Sequence, residues 1–173
     1  MLIINTGDGK GKTTASVGQI IRFLGHGLKV CFIQLFKREN FYGEQNILMK
    51  LENLDFFSFS KKHPYYLSRN ADFKKFINLC DSAIEKLQEL SEINSKKYDL
   101  IVLDEFNIAI RDKLIDENEF VKIVKMLLRK SNVIITGRGC PNALINMADI
   151  VTEMKDVKHC YKHGIQAQIG IEY

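Results

Sequence analysis

The feature that most constrains the fold of this chain is a glycine-rich segment that separates a short apolar run from an amphipathic segment. The apolar run is Leu2-Ile3-Ile4, and the segment that follows it is Thr6-Gly7-Asp8-Gly9-Lys10-Gly11-Lys12-Thr13-Thr14. Glycines let the backbone curl until several N–H groups converge on phosphate oxygens, and a helix that begins there adds the positive end of its dipole. Because such a loop requires a strand before it and a helix after it, the segment predicts a loop that holds the triphosphate of a nucleotide.

Two side chains of this loop have predicted roles of their own. Lys12 supplies a positive charge to the triphosphate, and the hydroxyl of Thr13 is a ligand for Mg²⁺. The general pattern has glycine where this chain has Thr6, so the first turn of the loop differs from the usual one. The alternative is a chance glycine-rich turn, which the intact Gly-Lys-Thr-Thr disfavours. The remaining nucleotide contacts are predicted at Gly7, Asp8, Gly9, Lys10, Gly11 and Thr14.

A pair of acids follows a second buried strand. The apolar run Leu100-Ile101-Val102-Leu103 ends at Asp104 and Glu105, and in phosphate-loop proteins such a strand presents an acid to Mg²⁺. Asp104 or Glu105 would hold the metal together with Thr13, directly or through water; an acidic pair that only caps a strand is the alternative. These motifs leave open which bond breaks. A kinase or hydrolase attacks phosphorus, whereas an alkyl transferase attacks the ribose carbon and releases the whole triphosphate.

The rest of the chain alternates short apolar runs with longer amphipathic segments. Strands are predicted at residues 2–4, 29–36, 56–59, 100–103, 133–135, 150–154 and 165–169. Helices are predicted at residues 13–24, 43–51, 72–90, 116–128 and 141–148. Continuous apolar strands favour a mostly parallel sheet with helices on both faces. The prediction is therefore an α/β fold of the phosphate-loop NTPase-like, RecA-like kind, and a length of 173 residues suits a single domain, 1–173.

The charge and the cysteine spacing of the chain exclude several kinds of partner and site. The net charge of +4 suits an anionic ligand, but the lysines are scattered, so no nucleic-acid partner is predicted. No pair of cysteines has C-x-x-C spacing, which argues against a disulfide framework or a zinc site. Neither a signal peptide nor a run of about 18 apolar residues is present. The expected compartment is the cytoplasm, without a membrane partner.

Several further segments make the chain recognisable. Beyond the loop and Val102-Leu103-Asp104-Glu105, they are Thr136-Gly137-Arg138-Gly139-Cys140, Val157-Lys158-His159 and Gln166-Ala167-Gln168-Ile169-Gly170-Ile171-Glu172-Tyr173. Together they closely resemble the ATP:corrinoid adenosyltransferases of the phosphate-loop type. The resemblance covers essentially the whole chain, and Thr6 is typical of that family too.

The resemblance implies a reaction and a set of roles. Members of the family transfer the 5′-deoxyadenosyl group of ATP to the cobalt of a corrinoid that has been reduced to Co(I), and triphosphate leaves. Lys12 and Arg138 would stabilise its charge. Glu105 and Thr13 would bind Mg²⁺, with Asp104 behind them. ATP is then the co-substrate and the corrinoid the substrate, the electrons come from a flavoprotein-type donor, and a homodimer is expected.

Two departures from the family pattern concern the corrinoid. Members commonly carry an N-terminal extension over the active site, whereas this chain begins only six residues before the loop, so the lid is expected to be absent or supplied differently. Members also often have a Phe-x-Trp pair that displaces the lower cobalt ligand, but this chain has no tryptophan. Tyr65 and Tyr66 are the candidates for that work, with ordinary loop packing as the alternative.

Two rival functions stay open at this point. One is a phosphate-loop kinase acting on a small molecule, and the other is a nucleotide-dependent, corrinoid-binding switch without turnover. Lys37 and Arg38 follow the second predicted strand and are further candidates for contacts with ATP or with the carboxamides of a corrinoid.

Overall fold

The computed structural model describes residues 1–59, 73–92, 96–160 and 164–173. Within these residues six strands form one sheet. The strands are β1 (Leu2–Thr6), β2 (Val30–Leu35), β3 (Leu54–Phe59), β4 (Leu100–Asp104), β5 (Asn132–Thr136) and β6 (Ile150–Glu153). Their order across the sheet is β3-β2-β4-β5-β1-β6, and all of the pairings are parallel.

Helices connect these strands. They are α1 (Lys12–Leu24), α2 (Gly43–Leu48), α3 (Phe73–Glu92), α4 (Phe106–Arg111), α5 (Glu117–Leu127) and α6 (Asn142–Met147). The start of α5 follows from its sequence: Asp116 caps the helix by accepting a hydrogen bond from the N–H of Glu119 at 2.8 Å. No helix in the described ranges combines the length and the apolar character that crossing a bilayer requires.

The helices cover both faces of the sheet, as predicted. Alternate residues of each strand point to opposite faces, and they belong to two separate apolar clusters. On one face Ile20 of α1 packs in a cluster with Phe32 and Val102. On the other face Leu87 of α3 packs in a cluster with Leu103 and residues of α4, α5 and α6. The sheet is therefore buried on both sides, which explains why its strands are continuous apolar runs.

The parallel topology gathers the predicted motifs at one edge. The carboxyl ends of parallel strands lie at the same edge of a sheet, which is where such folds bind ligands. In this sheet Asn5 lies beside Thr136, and Gln34 beside Asp104. The loops that follow β1, β2, β4 and β5 consequently emerge together.

Two elements differ from the sequence-based expectation. Helix α4 was not predicted, because its first five residues are all buried and so show no amphipathic period. The predicted strand at residues 165–169 is wrong, since the segment is irregular and turns at its end. Gly164 and Gly170 have φ values of +77° and +79°, which end an extended conformation, and Ile169 is 83% exposed, so it has no sheet face to pack on.

Candidate active site

A cavity of about 780 Å³ lies at this carboxyl edge. Its size is within the range of small-molecule sites. The glycine-rich loop forms one wall, Lys37 and Glu44 come from the segment around α2, and Glu105 and Arg138 follow β4 and β5. Residues Gly170 to Tyr173 contribute another part of the wall. The loop, the acidic pair and the Thr-Gly-Arg-Gly-Cys segment, which are far apart in the sequence, thus meet at one place.

The glycines of the loop are required by a close backbone contact with the end of β6. The N–H of Gly9 donates to the carbonyl of Met154 at 2.7 Å. A Cβ on Gly7 would lie 2.4 Å from the carbonyl oxygen of Met154, and one on Gly9 would lie 2.6 Å from that of Lys155. Gly7 also has a φ of +94°. A side chain at either position would therefore force the loop away from β6.

Lys12 is the first residue of α1 and is held inside the loop. Its Nζ donates to the carbonyls of Gly7 at 2.7 Å and Gly9 at 2.6 Å. Burial lowers the pKa of this ammonium, although Glu105 opposes the effect. No side chain caps α1 at Gly11, and its first turn contains no acid. The first N–H groups of the helix are therefore left for an anion.

Thr6 replaces the glycine of the general pattern for a visible reason. Its Oγ1 donates to the carbonyl of Gly137 at 3.0 Å and accepts from the N–H of Cys140 at 3.3 Å. These bonds join the end of β1 to the loop that carries Arg138. A glycine at position 6 would leave both backbone groups without this partner.

We expect Thr6→Ala to lower the free energy of unfolding by about 1–2 kcal/mol, because one buried and one partly buried hydrogen bond are lost. Urea denaturation measures the change. Thr152→Ala is the matched control, because Thr152 lies exposed on β6. Equal losses for the two variants would contradict the role assigned to Thr6.

Arg138 is placed at the cavity by the glycines on either side of it. A Cβ on Gly139 would lie 2.5 Å from the side chain of Arg111 in α4, and one on Gly137 would lie 3.0 Å from that of Asn107. The side chain of Arg138 is 49% exposed, and its guanidinium lies 4.0 Å from a carboxylate oxygen of Asp8. An ion pair that is this exposed contributes little stability, so Arg138 is available to a ligand of the cavity.

Asp104 is fully buried behind the cavity wall and is heavily hydrogen-bonded. One carboxylate oxygen accepts from the hydroxyls of Thr13 at 2.9 Å and Thr136 at 2.6 Å, and the other accepts from Nε2 of Gln34 at 2.9 Å. The ammonium of Lys37 is 3.2 Å away. Burial alone would raise the pKa of Asp104, but Lys37 and the three hydrogen bonds bring it below its ordinary value. Asp104 is therefore an anion with a built-in counter-charge.

Lys37 takes a larger part in the site than its sequence position indicates. Its Nζ donates to the hydroxyl of Thr13 at 2.8 Å and lies 3.9 Å from a carboxylate oxygen of Glu44. Burial opposes the charged form, yet the carboxylates of Asp104, Glu105 and Glu44 raise the pKa of the ammonium. In the sequence, the residue that could have indicated a polar site near Lys37 is Gln34, because it is the polar residue of an otherwise apolar buried strand.

Glu105 differs from Asp104 because one of its carboxylate oxygens is available to a ligand. Its backbone is left-handed, with a φ of +67°, and its N–H donates to the hydroxyl of Thr136 at 3.0 Å. Its Oε2 is buried without a hydrogen-bond partner among the described residues. Burial and the neighbouring charge of Asp104 raise the pKa of Glu105 to about 7. Carboxylate and hydroxyl oxygens are the ligands that Mg²⁺ prefers, so Glu105 and Thr13 fit that metal.

The predicted site residues thus fall into three groups. Gly7 and Asp104 are not among the residues that line the cavity. Tyr65 and Tyr66 lie outside the described residues. The others line the cavity: Asp8, Gly9, Lys10, Gly11, Lys12, Thr13, Thr14, Glu105 and Arg138.

The comparison with known proteins agrees with this geometry. A model of the family described as ATP:corrinoid adenosyltransferase BtuR/CobO/CobP matches residues 1–173. The chain is 35% identical to a corrinoid adenosyltransferase of Sinorhizobium sp, with 100% of this chain and 80% of the relative covered. It is 33% identical to a corrinoid adenosyltransferase of Escherichia coli strain K12, with 100% and 85% covered. The chain belongs to this family.

A solved structure with the same fold supports the assignment of architecture. The flagellar accessory protein FlaH from Methanocaldococcus jannaschii has a TM-score of 0.54 to this ATP:corrinoid adenosyltransferase family member, at 14% sequence identity. The match covers 88% of this chain and 69% of that chain. At such low identity the likeness shows the fold alone, and it agrees with the predicted α/β fold, a parallel sheet with helices on both faces.

Aromatic residues at the cavity were missed as site residues. The ring of Tyr173 stacks on Phe41 with centroids 4.8 Å apart, and Tyr42 meets Phe41 edge-on at 5.3 Å. Tyr42 and Tyr173 both line the cavity. The C-terminal segment identified the adenosyltransferase family by its sequence, but nothing in that sequence indicates that it folds back to the phosphate loop.

Proposed function

We propose that this family member transfers the 5′-deoxyadenosyl group of ATP to the Co(I) of a corrinoid and releases triphosphate, in the synthesis or salvage of adenosylcobalamin. The observation that carries the proposal is the convergence of the phosphate loop, Glu105 and Arg138 on one cavity, in a chain that the family model matches throughout. The kinase and the switch have no comparable support, because the relatives named above are adenosyltransferases.

The reaction asks for no protein nucleophile. The electron pair of Co(I) forms the bond between cobalt and C5′, the bond between C5′ and the bridging oxygen breaks, and that oxygen leaves with its electron pair as part of triphosphate. The reaction therefore needs neither a general base nor a covalent enzyme intermediate. The contribution of the protein is therefore to orient C5′ and to stabilise the negative charge that develops on the triphosphate.

In this proposal Lys12, Arg138 and the N–H groups of the loop stabilise the departing triphosphate. Two carbonyls of the loop hold Nζ of Lys12 at the cavity, at 2.7 and 2.6 Å, so its charge is oriented before any substrate arrives. The exposed guanidinium of Arg138 approaches from the loop after β5. Charges fixed in advance cost little reorganisation during the reaction.

We further propose that Thr13 and Glu105 hold Mg²⁺, with Asp104 behind them as the anchor of Thr13. The support is the unpartnered, buried Oε2 of Glu105 and the hydrogen bond from Thr13 to Asp104. When it is bound, Mg²⁺ adds positive charge to the triphosphate.

The remaining expectations about partners stay proposals. Residues 1–173 act as a single nucleotide-binding domain in the cytoplasm, the protein is a homodimer, and a flavoprotein-type donor supplies the electrons. Nucleic acids and membranes are not partners. Tyr65 and Tyr66 are the candidates for displacing the lower cobalt ligand.

The proposed reaction is tested by incubating the protein with ATP, Mg²⁺ and chemically reduced cobalamin. The visible spectrum and the phosphate products are followed together. We expect adenosylcobalamin and triphosphate in equal amounts. ADP without a spectral change would indicate phosphoryl transfer, and bound ATP without products would indicate a switch; either outcome contradicts the proposal.

The raised pKa of Glu105 predicts that the stability of the folded protein depends on pH. This pKa is raised from the ordinary 4.5 to about 7 in the folded protein. Between these values the folded state keeps a proton that the unfolded state has lost. The contribution of Glu105 to stability is therefore full below about pH 4.5 and is lost as the pH rises to about 7.

We expect Glu105→Gln to remove this contribution, so that the free energy of unfolding falls less between pH 5 and pH 7 in the variant than in the wild type. Urea denaturation at several pH values measures the difference. Glu52→Gln, at an exposed position, is the control that should follow the wild type. Parallel pH profiles for the Glu105 variant and the wild type would show that the carboxyl is not perturbed.

A further inference from the structure

The ammonium of Lys37 lies among the oxygens that are suited to a divalent cation. Its Nζ is 2.8 Å from the hydroxyl oxygen of Thr13, 3.2 Å from a carboxylate oxygen of Asp104 and 3.9 Å from one of Glu44. Two cations this close to the same oxygens would repel each other strongly in a buried site. Lys37 and Mg²⁺ therefore compete for this place.

The surroundings hold the anionic partner of Lys37 in a fixed orientation. Gln34 donates to Asp104 at 2.9 Å and accepts from Nε2 of Gln45 at 2.7 Å, and Gln45 in turn accepts from the N–H of Phe41 at 3.3 Å. Gln34, Gln45 and Asp104 are all 0% exposed. The carboxylate thus has no route to solvent, and a buried charge of this kind requires a cation at all times.

Lys37 also faces the place where the triphosphate is proposed to bind. Its side chain is 12% exposed, and it lines the same cavity as Lys12 and the glycine-rich loop. Since the lysine side chain is long and has several rotatable bonds, its ammonium can exchange the hydroxyl of Thr13 for a phosphate oxygen in the cavity without leaving the site.

We propose that Lys37 makes metal binding conditional on the triphosphate. Without nucleotide, the ammonium neutralises Asp104 and binds the hydroxyl of Thr13, and a divalent cation cannot bind there. With nucleotide, the triphosphate offers the ammonium a new anionic partner, and the hydroxyl of Thr13 that it leaves becomes available to Mg²⁺ beside Glu105. Lys37 is a positioning residue in this account, which rests on the metal site proposed above.

This role of Lys37 has a thermodynamic consequence that does not depend on turnover. Mg²⁺ and ATP should bind the wild type with strong mutual coupling, because each favours the same arrangement of Lys37. Removal of the ammonium should break this dependence. The hydroxyl of Thr13 would then be free of the ammonium, and the uncompensated charge of Asp104 behind it would attract Mg²⁺ to Thr13 and Glu105 without any nucleotide.

Thermal unfolding of Lys37→Met in the absence of nucleotide tests this. We expect the midpoint of the variant to fall by about 10 °C in metal-free buffer, because a buried charge loses its partner. MgCl₂ at tenfold its dissociation constant should then raise the midpoint of the variant by about 4 °C. The midpoint of the wild type should not respond to MgCl₂. NaCl matches the ionic strength, and Lys50→Met, at an exposed position, is the control.

The wild type and the variant responding equally to Mg²⁺ would overturn the proposal. Should the methionine variant fail to fold, Lys37→Gln carries the same test, since it removes the charge and keeps a polar N–H donor at this position. A failure of the proposed function would give a different result from a failure of this proposal. The protein would then lack adenosyl transfer, while the difference in Mg²⁺ response between the wild type and the variant persisted.

Discussion

Replacing Lys12 with alanine is expected to lower the rate of adenosyl transfer about 1,000-fold while the chain still folds. The ammonium is the cation that the phosphate loop itself holds, and its two carbonyl partners fix it at the cavity. Loss of one charge-stabilising donor from a preorganised site corresponds to about 4 kcal/mol of transition-state stabilisation. The effect should fall on kcat more than on KM, because the triphosphate gains negative charge only as the bond to C5′ breaks.

Steady-state kinetics with reduced corrinoid measure the loss, and the cooperative unfolding transition shows that the fold survives. The substitution removes the hydrogen bonds to the carbonyls of Gly7 and Gly9, at a cost of about 1–2 kcal/mol. Lys125→Ala is the control, since Lys125 is exposed on α5. If the turnover rate of the Lys12 variant were within a few-fold of the wild-type rate, the role assigned to the loop in the mechanism would be contradicted.

Replacing Asp104 with alanine is expected to have the largest effect on stability, about 3–5 kcal/mol. The substitution leaves Lys37 without its closest carboxylate and leaves the donors on Thr13, Thr136 and Gln34 unpaired. Buried donors that lose their acceptor carry the full cost of desolvation. Urea denaturation measures the loss, and Asp81→Ala, at an exposed position of α3, should change the stability little.

A double-mutant cycle assigns part of that loss to the ion pair. In a Lys37→Met background the Asp104 substitution should cost less, because the ammonium that it would strand is already absent. Additive effects of the two substitutions would show that the charges do not stabilise each other across the 3.2 Å that separates them.

The parts of the site that were predictable from sequence are those that depend on local pattern. The glycine loop is recognisable because its conformation requires glycine at fixed positions, and the acidic pair because a continuous apolar run precedes it. Helix α4 escaped prediction because Phe106 and its neighbours are buried all round. The predicted strand at residues 165–169 failed for the opposite reason: its isoleucines resemble those of a buried strand in the sequence but lie exposed.

The parts that were not predictable depend on contacts between distant segments. Lys37 and Asp104 are 67 positions apart, and only the pairing of β2 with β4 brings them together. Phe41 and Tyr173 meet because the C-terminal segment returns to the cavity. A single sequence carries no local signal for such contacts, although the buried Gln34 does mark β2 as unusual.

The fate of the oxygen that joins C5′ to the triphosphate tests the central claim most directly. ATP labelled with ¹⁸O at this bridging position is incubated with the protein, Mg²⁺ and a Co(I) corrinoid, and the products are analysed by mass spectrometry. The account predicts that the label leaves entirely in the triphosphate, because the bond between carbon and oxygen breaks. Label that stays with the nucleoside would show cleavage of a bond to phosphorus and would contradict the account.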